Sequence, residues 1–474
     1  MTNTSGGSIA TQSAGGQFSV KVTARDQFGN LQDDFTGTAD IGSNKTCSAG
    51  CTTSASFAGG VLASHSLTLS EAGSGATVTA TKTGGAATGE SNSFSVSPAG
   101  LDHFQVTAAG GGSIANQTAG VPFNIKVTAQ DASNNTVTSF NGTVDVSSNR
   151  TCSAGCTASA NFTGGVLSSH SITLSGAGTG STISVIQSGG SASGVSNSFT
   201  VFSPDGAGTM IASPTYVANG AGGKTLTFTY TVPAGGMSGG ALSLTVPDGW
   251  SQPSTTATDP GYSTSSYGTL AVADRTMTVS GLNRAAGSSV QIVYGVKRSG
   301  GPGATAPTTA GAQSWPAKSM ITGSGSLQPL ASSPSVTVLS PDGSGTMSPS
   351  PSSVSQGSSG NTLIFTYTAA SGGMVNGTLT LAVPSGWSAP STLSSDPGYS
   401  TASQGTLTLS GRKILVSGVT LAGGASMTVT YGSGSGATAP TSPGPQTWSA
   451  TERSSNQAGA QTALASSPVV TVTP

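Results

Sequence analysis

Phe18-Ser19-Val20-Lys21-Val22-Thr23-Ala24-Arg25, followed by Asp26-Gln27-Phe28-Gly29-Asn30, is the stretch that decides the fold. Apolar Phe18, Val20, Val22 and Ala24 alternate with polar Ser19, Lys21, Thr23 and Arg25, and a period of two puts one set on each face of a half-buried strand. The Asp-Gln-Phe-Gly-Asn run behind it is turn chemistry. The same alternation returns in Phe123, Ile125, Val127 and Ala129, and again where Leu226, Phe228, Tyr230 and Val232 interleave with Thr225, Thr227, Thr229 and Thr231. Turn signals such as Gly59-Gly60 and Asp248-Gly249 interrupt these runs about every 8 to 12 residues, the spacing of a β-sandwich. No segment sustains a 3.6-residue period with caps, so the fold is expected to be all-β.

The alternating runs belong to repeats. Asp26, Cys47, Cys51, His65 and Phe94 recur 105 residues later as Asp131, Cys152, Cys156, His170 and Phe199. Met210, Met237, Trp250, Tyr262 and Tyr294 recur 137 residues later as Met347, Met374, Trp387, Tyr399 and Tyr431. The chain therefore reads A-A-B-B, a tandem array rather than one large core. Boundaries fall at Ser97-Pro98-Ala99-Gly100, Ser203-Pro204-Asp205-Gly206 and Ser340-Pro341-Asp342-Gly343, which gives repeats A1 (1–99), A2 (100–203), B1 (204–340) and B2 (341–474). Around Lys297-Arg298-Ser299-Gly300 B1 holds residues that B2 lacks, and such variation in length marks a surface loop. Short proline-stiffened linkers predict four sandwiches in an extended rod, on the order of 150 Å long at the rise of a strand.

The ends of this array are unequal. A2 opens with Leu101-Asp102-His103-Phe104-Gln105-Val106, which reads as a first strand, whereas A1 offers only Met1 to Ser5 before the shared Gly-Gly-Ser-Ile-Ala. A1 is thus expected to lack its first strand. Either the sequence is a piece of a longer protein cut near repeat boundaries, or a strand from a neighbouring copy completes A1 and builds head-to-tail filaments.

Composition narrows the class further. Only 7% of the residues are charged, against about 25% in an ordinary domain, and 70 of the 474 are glycine, so the cores must be small. A formal net charge of −1 gives no electrostatic footprint for nucleic acid or for an anionic membrane. No apolar run approaches the roughly 20 residues of a membrane span, and Met1 to Ser5 do not read as a signal peptide.

The A repeats, with Gln117-Thr118-Ala119-Gly120, Lys126-Val127-Thr128-Ala129-Gln130-Asp131 and Phe140-Asn141-Gly142-Thr143, resemble the bacterial immunoglobulin-like repeats of large secreted and cell-surface, adhesin-like proteins. The B repeats, with Gly249-Trp250-Ser251 and Gly303-Ala304-Thr305-Ala306-Pro307-Thr308, are more loosely similar to repeats of the same kind of giant extracellular protein. The resemblance implies an immunoglobulin-like sandwich at the bacterial cell surface, and it implies no ligand.

Few residues carry candidate chemistry. Two copies of Thr-Cys-Ser-Ala-Gly-Cys place Cys47 with Cys51 and Cys152 with Cys156, spaced for a local disulfide in each A repeat, whereas a zinc site would need four ligands. His65 and His170 are in phase with apolar neighbours and point to the core or its rim, while His103 reads as a linker contact. Asp26, Asn30, Asp33 and Asp34 could form a calcium loop, and Asp205 and Asp342 could bind calcium between domains. A2, however, has Thr138 and Ser139 in place of Asp33 and Asp34, which favours an Asx turn.

Gly223-Lys224-Thr225 lacks the leading glycine of a phosphate loop, because Ala218 stands there, and a strand follows it. Trp250, Trp315, Trp387 and Trp448 are core residues or, alternatively, a platform for sugar stacking. No carboxylate pair, nucleophile–histidine pair or metal cluster recurs, so neither an enzyme nor a cofactor is expected. The expected function is a structural stalk or filament segment whose partners are copies of itself or further modules. The alternative is adhesion to carbohydrate or a surface ligand through threonine-rich faces or the Lys297-Arg298 loop.

Overall fold

A computed structural model describes residues 1–456 and 459–474, and it is built from strands. A 3-10 turn at Arg298–Gly300 is the one helical piece among the described residues, and it falls in the loop unique to B1. Two compact units divide the chain, Met1–Ser203 and Pro204–Pro474. Within each unit one set of ladders occurs twice, once per sequence repeat.

In A1 the strands are β1 (Thr2–Asn3), β2 (Gln12–Ser13), β3 (Gln17–Thr23), β4 (Ala39–Ser43), β5 (Cys47–Ala49), β6 (Val61–Leu69), β7 (Gly73–Ala76), β8 (Val78–Lys82), β9 (Thr88–Glu90) and β10 (Phe94–Ser97). A2 continues with β11 (His103–Ala108), β12 (Gln117–Thr118), β13 (Phe123–Gln130), β14 (Val144–Ser148), β15 (Cys152–Ala154), β16 (Val166–Leu174), β17 (Gly178–Ser181), β18 (Ile183–Gln187), β19 (Ser193–Val195) and β20 (Phe199–Phe202). A1 forms sheets in the orders β1-β3-β6-β5, β2-β10-β7 and β4-β8-β9, and A2 forms the same three from β11 to β20.

The inward faces meet over one core per repeat. In A1 it joins Val20, Leu67, Ile41, Val78 and Val96, and in A2 Ile125, Ile172, Val146, Ile183 and Val201. Val20 and Val22 are buried, as the alternation requires, and Lys21 between them lies on the other face. A1 departs from expectation at its edge. Its first strand is not wholly absent, because Thr2 and Asn3 pair with Lys21 and Val20. In A2 the corresponding strand pairs over six rungs, from His103 opposite Gln130 to Ala108 opposite Ile125. His103 is correspondingly a strand residue, with Nδ1 2.9 Å from the Asp102 carboxylate, rather than a linker contact.

In the second unit each B repeat makes a four-, a three- and a five-stranded sheet. The central strand Leu226–Thr231 buries Leu226, Phe228 and Tyr230 completely and leaves the threonines between them outside the core, and Leu363–Thr368 buries Leu363, Phe365 and Tyr367 in the same way in B2, with Ile364 and Thr366 between them. Few apolar residues are available, so large rings fill the space. Trp315 packs on Phe228, Trp250 and Tyr294 with centroids 4.6 to 5.3 Å away, and Trp448 does the same with Phe365, Trp387 and Tyr431 at 4.6 to 5.4 Å.

Candidate functional site

The most distinctive surface of the first unit is the open edge of β3. In A2 the strand β11 covers this edge and packs Phe104 against both Phe140 and Phe162, with ring centroids 5.4 and 5.7 Å away. Its backbone crosses Gly194 so closely that a Cβ there would run into the Phe104 carbonyl. In A1 the ring pair persists as Phe35 and Phe57, 5.0 Å apart, with no third phenyl beside it. Gly89 stands where A2 has Gly194, and nothing lies within 4 Å of a Cβ built on it.

The result is a groove of about 860 Å³ whose lining includes Met1, Val22, Ala24, Phe35, Phe57 and Gly89. Thr23 pairs with Val61 on the β6 side but has no strand partner on the other among the described residues, whereas Thr128 pairs on both sides. Lys21, Arg25 and Lys82 stand at the rim with Asp34. The Lys82 ammonium lies 5.6 Å from the centroid of the Phe35 ring, a cation–π contact on the ring whose A2 counterpart meets Phe104.

The A1–A2 joint is held by the turn after β13. Asn135 Nδ2 donates to the Ser70 carbonyl at 2.7 Å, its Oδ1 accepts from Ala72 N–H at 2.8 Å, and Asp131 Oδ2 accepts from Ala99 N–H at 2.9 Å. Burial pushes the Asp131 carboxyl up, but hydrogen bonds from Asn135, Ala99 and Ser133 together hold it below the ordinary aspartate range.

Asp26 and Asn30 build the same turn in A1. Asp26 Oδ1 accepts from Phe28 and Asn30 N–H, and Asn30 Nδ2 donates to Oδ2 at 3.0 Å. Hydrogen bonds, led by the Asn30 side chain, lower the Asp26 pKa. Here the turn is exposed, and Phe28 is 80% accessible.

The structure forms the Asx turn at this place. Both Asp26 carboxylate oxygens accept within it, Asn30 donates through its backbone and side-chain N–H groups, and no group of three or more His, Cys, Asp or Glu side chains gathers among the described residues, Asp33 included. Asp205 accepts from Ile321 and Ser326 N–H, and Asp342 from Ser454 and Ala460 N–H, so both carboxylates pin a loop of their own repeat.

Cys47 is bonded to Cys51 and Cys152 to Cys156, with Cα atoms 6.2 Å apart in each pair. Gly50 and Gly155, at φ of 81° and 80°, make the turn between them, and a side chain there would strike the neighbouring β6 or β16 backbone. His65 and His170 fasten the same loops, each Nε2 donating at 2.7 Å to the carbonyl of that glycine. Trp250, Trp315, Trp387 and Trp448 are at most 3% exposed, so none offers a face to a sugar.

Two features escape a reading of motifs. Arg275 Nε donates to the Val246 carbonyl at 2.9 Å and Nη2 to Trp250 at 3.0 Å, clamping the turn before Trp250. Arg412 repeats this on Val383 and Trp387 at 3.1 and 2.7 Å. The 137-residue recurrence of an arginine in so charge-poor a chain was the available signal. The other is Glu452, 1% exposed, which accepts from Gly343 N–H at 2.5 Å and from Ser454 Oγ at 2.7 Å.

Fold and site together define a tandem array of β-sandwiches in which each A repeat carries a disulfide-pinned loop. The chain is similar over 79% of its length to 98% of a solved chain of the Escherichia coli adhesin FdeC, at 18% identity and a TM-score of 0.27. It is also similar to a Ca2+-stabilized adhesin with which an Antarctic bacterium binds ice, at 16% identity over 99% of this chain and 97% of that one, with a TM-score of 0.20. The Yersinia pseudotuberculosis adhesin InvE shares 14% identity over 56% of this chain and 59% of its own, with a TM-score of 0.20. No protein-family model and no curated protein matches the sequence.

Proposed function

We propose that the chain is a structural stalk or filament segment of an extracellular bacterial surface protein, made of four sandwich modules in tandem. The observation that carries this reading is the joint. Asp131 and Asn135 of A2 grip the backbone of A1 at three points, and in the second unit the Ser340 hydroxyl accepts from Gly372 N–H at 2.8 Å across the B1–B2 boundary. Modules whose ladders stay internal but whose junctions are hydrogen-bonded suit a row that passes tension from one repeat to the next. Two disulfides favour an oxidising compartment. Extension of such a row by addition of a strand to A1 belongs to the same proposal. Small-angle scattering of the whole chain tests it. A distance distribution with a long tail, on the order of 150 Å, is expected, and a compact, symmetric distribution refutes the stalk.

A further inference from the structure

We propose that B2 pairs with B2 of a second copy of the chain, the strand Thr406–Ser410 lying antiparallel against the same strand of its partner with Thr408 on the two-fold axis. The contact joins chains side by side and stands independently of the stalk reading.

Thr406–Ser410 is an outer strand of the five-stranded sheet of B2, and among the described residues it pairs only with Lys413–Leu421. The two-residue turn Gly411-Arg412 makes Ser410 and Lys413 a hydrogen-bonded pair, so Thr408 and Thr406 also bond inward, to Leu415 and Ser417. Leu407 and Leu409 between them turn their N–H and C=O groups outward, where no strand meets them among the described residues. Gly405 and Gly411, at φ of 80° and 58°, leave the extended conformation at both ends and limit the open edge to this strand.

An open edge is a template for strand addition unless brevity, proline, charge or a covering loop guards it. The other outer strands of B2 are guarded among the described residues. Ser353–Ser355, Ser400–Ala402 and Thr462–Ala463 are short, while Thr346–Ser350 and Gly444–Thr447 carry Pro349 and Pro445. In the A repeats a loop covers the outer strands β4 and β14, with Ser54 N–H donating to the Ala39 carbonyl and Ser159 N–H to the Val144 carbonyl, each at 2.8 Å. In B1 the counterpart strand Thr269–Ala273 starts beside Tyr267, and the Arg284 guanidinium stacks 3.6 Å from the centroid of that ring. B2 has Gln404 and Leu421 at those places, so its edge carries no such cation. Of the cations beside it, Arg412 is held by the Val383 and Trp387 carbonyls, and Lys413 lies one strand further in.

The edge also selects its occupant. An antiparallel copy centred on Thr408 places Leu407 opposite the partner's Leu409 and Leu409 opposite the partner's Leu407, and each pair exchanges both of its main-chain hydrogen bonds. Leu407 and Leu409 are half-buried against the B2 core, and pairing covers their exposed flanks with the same residues of the copy. Thr406, Thr408 and Ser410 face solvent on the other side and carry no charge, so nothing on the strand repels its own copy.

Sedimentation velocity of the whole chain from about 1 μM to about 1 mM should show a reversible monomer–dimer equilibrium. Thr408→Lys sets like charges face to face on the axis and should weaken the dimer at least tenfold. Mixing Thr408→Lys with Thr408→Glu should restore it, a result that misfolding does not produce. Thr408→Cys traps a weak contact, because its Cα would lie about 4.5 Å from its mate, within reach of a disulfide. That variant should run as a dimer without reductant and as a monomer with it. Ser410→Cys, about 14 Å from its mate in this register, should stay monomeric. Equal cross-linking at both positions, or a dimer that Thr408→Lys leaves intact, overturns the pairing. A chain that is monomeric at every concentration, with Thr408→Cys uncrosslinked, overturns self-association and leaves the edge to a different polypeptide. None of these results alters the scattering of the dilute chain that tests the stalk reading.

Discussion

Glu452 is the residue at which this charge-poor chain takes its largest electrostatic risk. Burial pushes its carboxyl above the ordinary glutamate range, and hydrogen bonds from Ser454 and Gly343 recover only part of the loss. The folded state therefore holds this proton more tightly than the unfolded chain does. Stability from this group is fully present below the unfolded value, near 4.5, and is lost as pH rises through the raised folded value. Glu452→Gln should accordingly raise the melting temperature of B2 at pH 7 and flatten its decline above pH 4.5, read by calorimetry in a pH series. Nothing in the sequence marks the position, since B1 has Ser319 in its place and the repeat comparison selects what recurs. The hydroxyl of Ser319 meets the Ala207 carbonyl at 2.8 Å, so the two copies solve one packing problem with different chemistry.

Among elements, the disulfide-bearing loops show how far local sequence reaches. The Cys-Ser-Ala-Gly-Cys spacing made the bond legible, because three intervening residues with a glycine in the left-handed region can turn back on themselves. The histidine anchor was only half legible. Its phase placed it at the core rim, but its partner is a carbonyl 15 residues earlier and becomes adjacent only when β5 pairs with β6. So short a loop restricts the unfolded chain little. Cys47→Ser with Cys51→Ser should cost A1 no more than about 2 kcal/mol in urea unfolding. Its effect should instead be local, with faster exchange of the β5 and β6 amides around Cys47 and Leu67 than elsewhere in A1.

At the scale of the whole molecule, alternation and repeat offsets revealed the strands and their order, because both are properties of the chain taken one segment at a time. The open edge of A1 was legible in the few residues before the shared Gly-Gly-Ser-Ile-Ala, but the joint was not, since it depends on what the neighbouring module places nearby. Asp26-Asn30 and Asp131-Asn135 look alike as turns, and the second pair bonds the backbone of the repeat before it. Asn135→Ala removes both contacts to the Ser70–Ala72 turn and should cost about 1 to 2 kcal/mol. A1 and A2 should then unfold as separate transitions in calorimetry while their own secondary structure persists. All three groups gripped at this joint, the Ser70 carbonyl and the Ala72 and Ala99 amides, belong to the main chain. A joint that reads backbone does not care which side chains its neighbour carries. Unequal recombination that inserts or deletes one A unit would therefore produce a working junction at once, and the reach of the protein can change by whole modules without any compensating mutation.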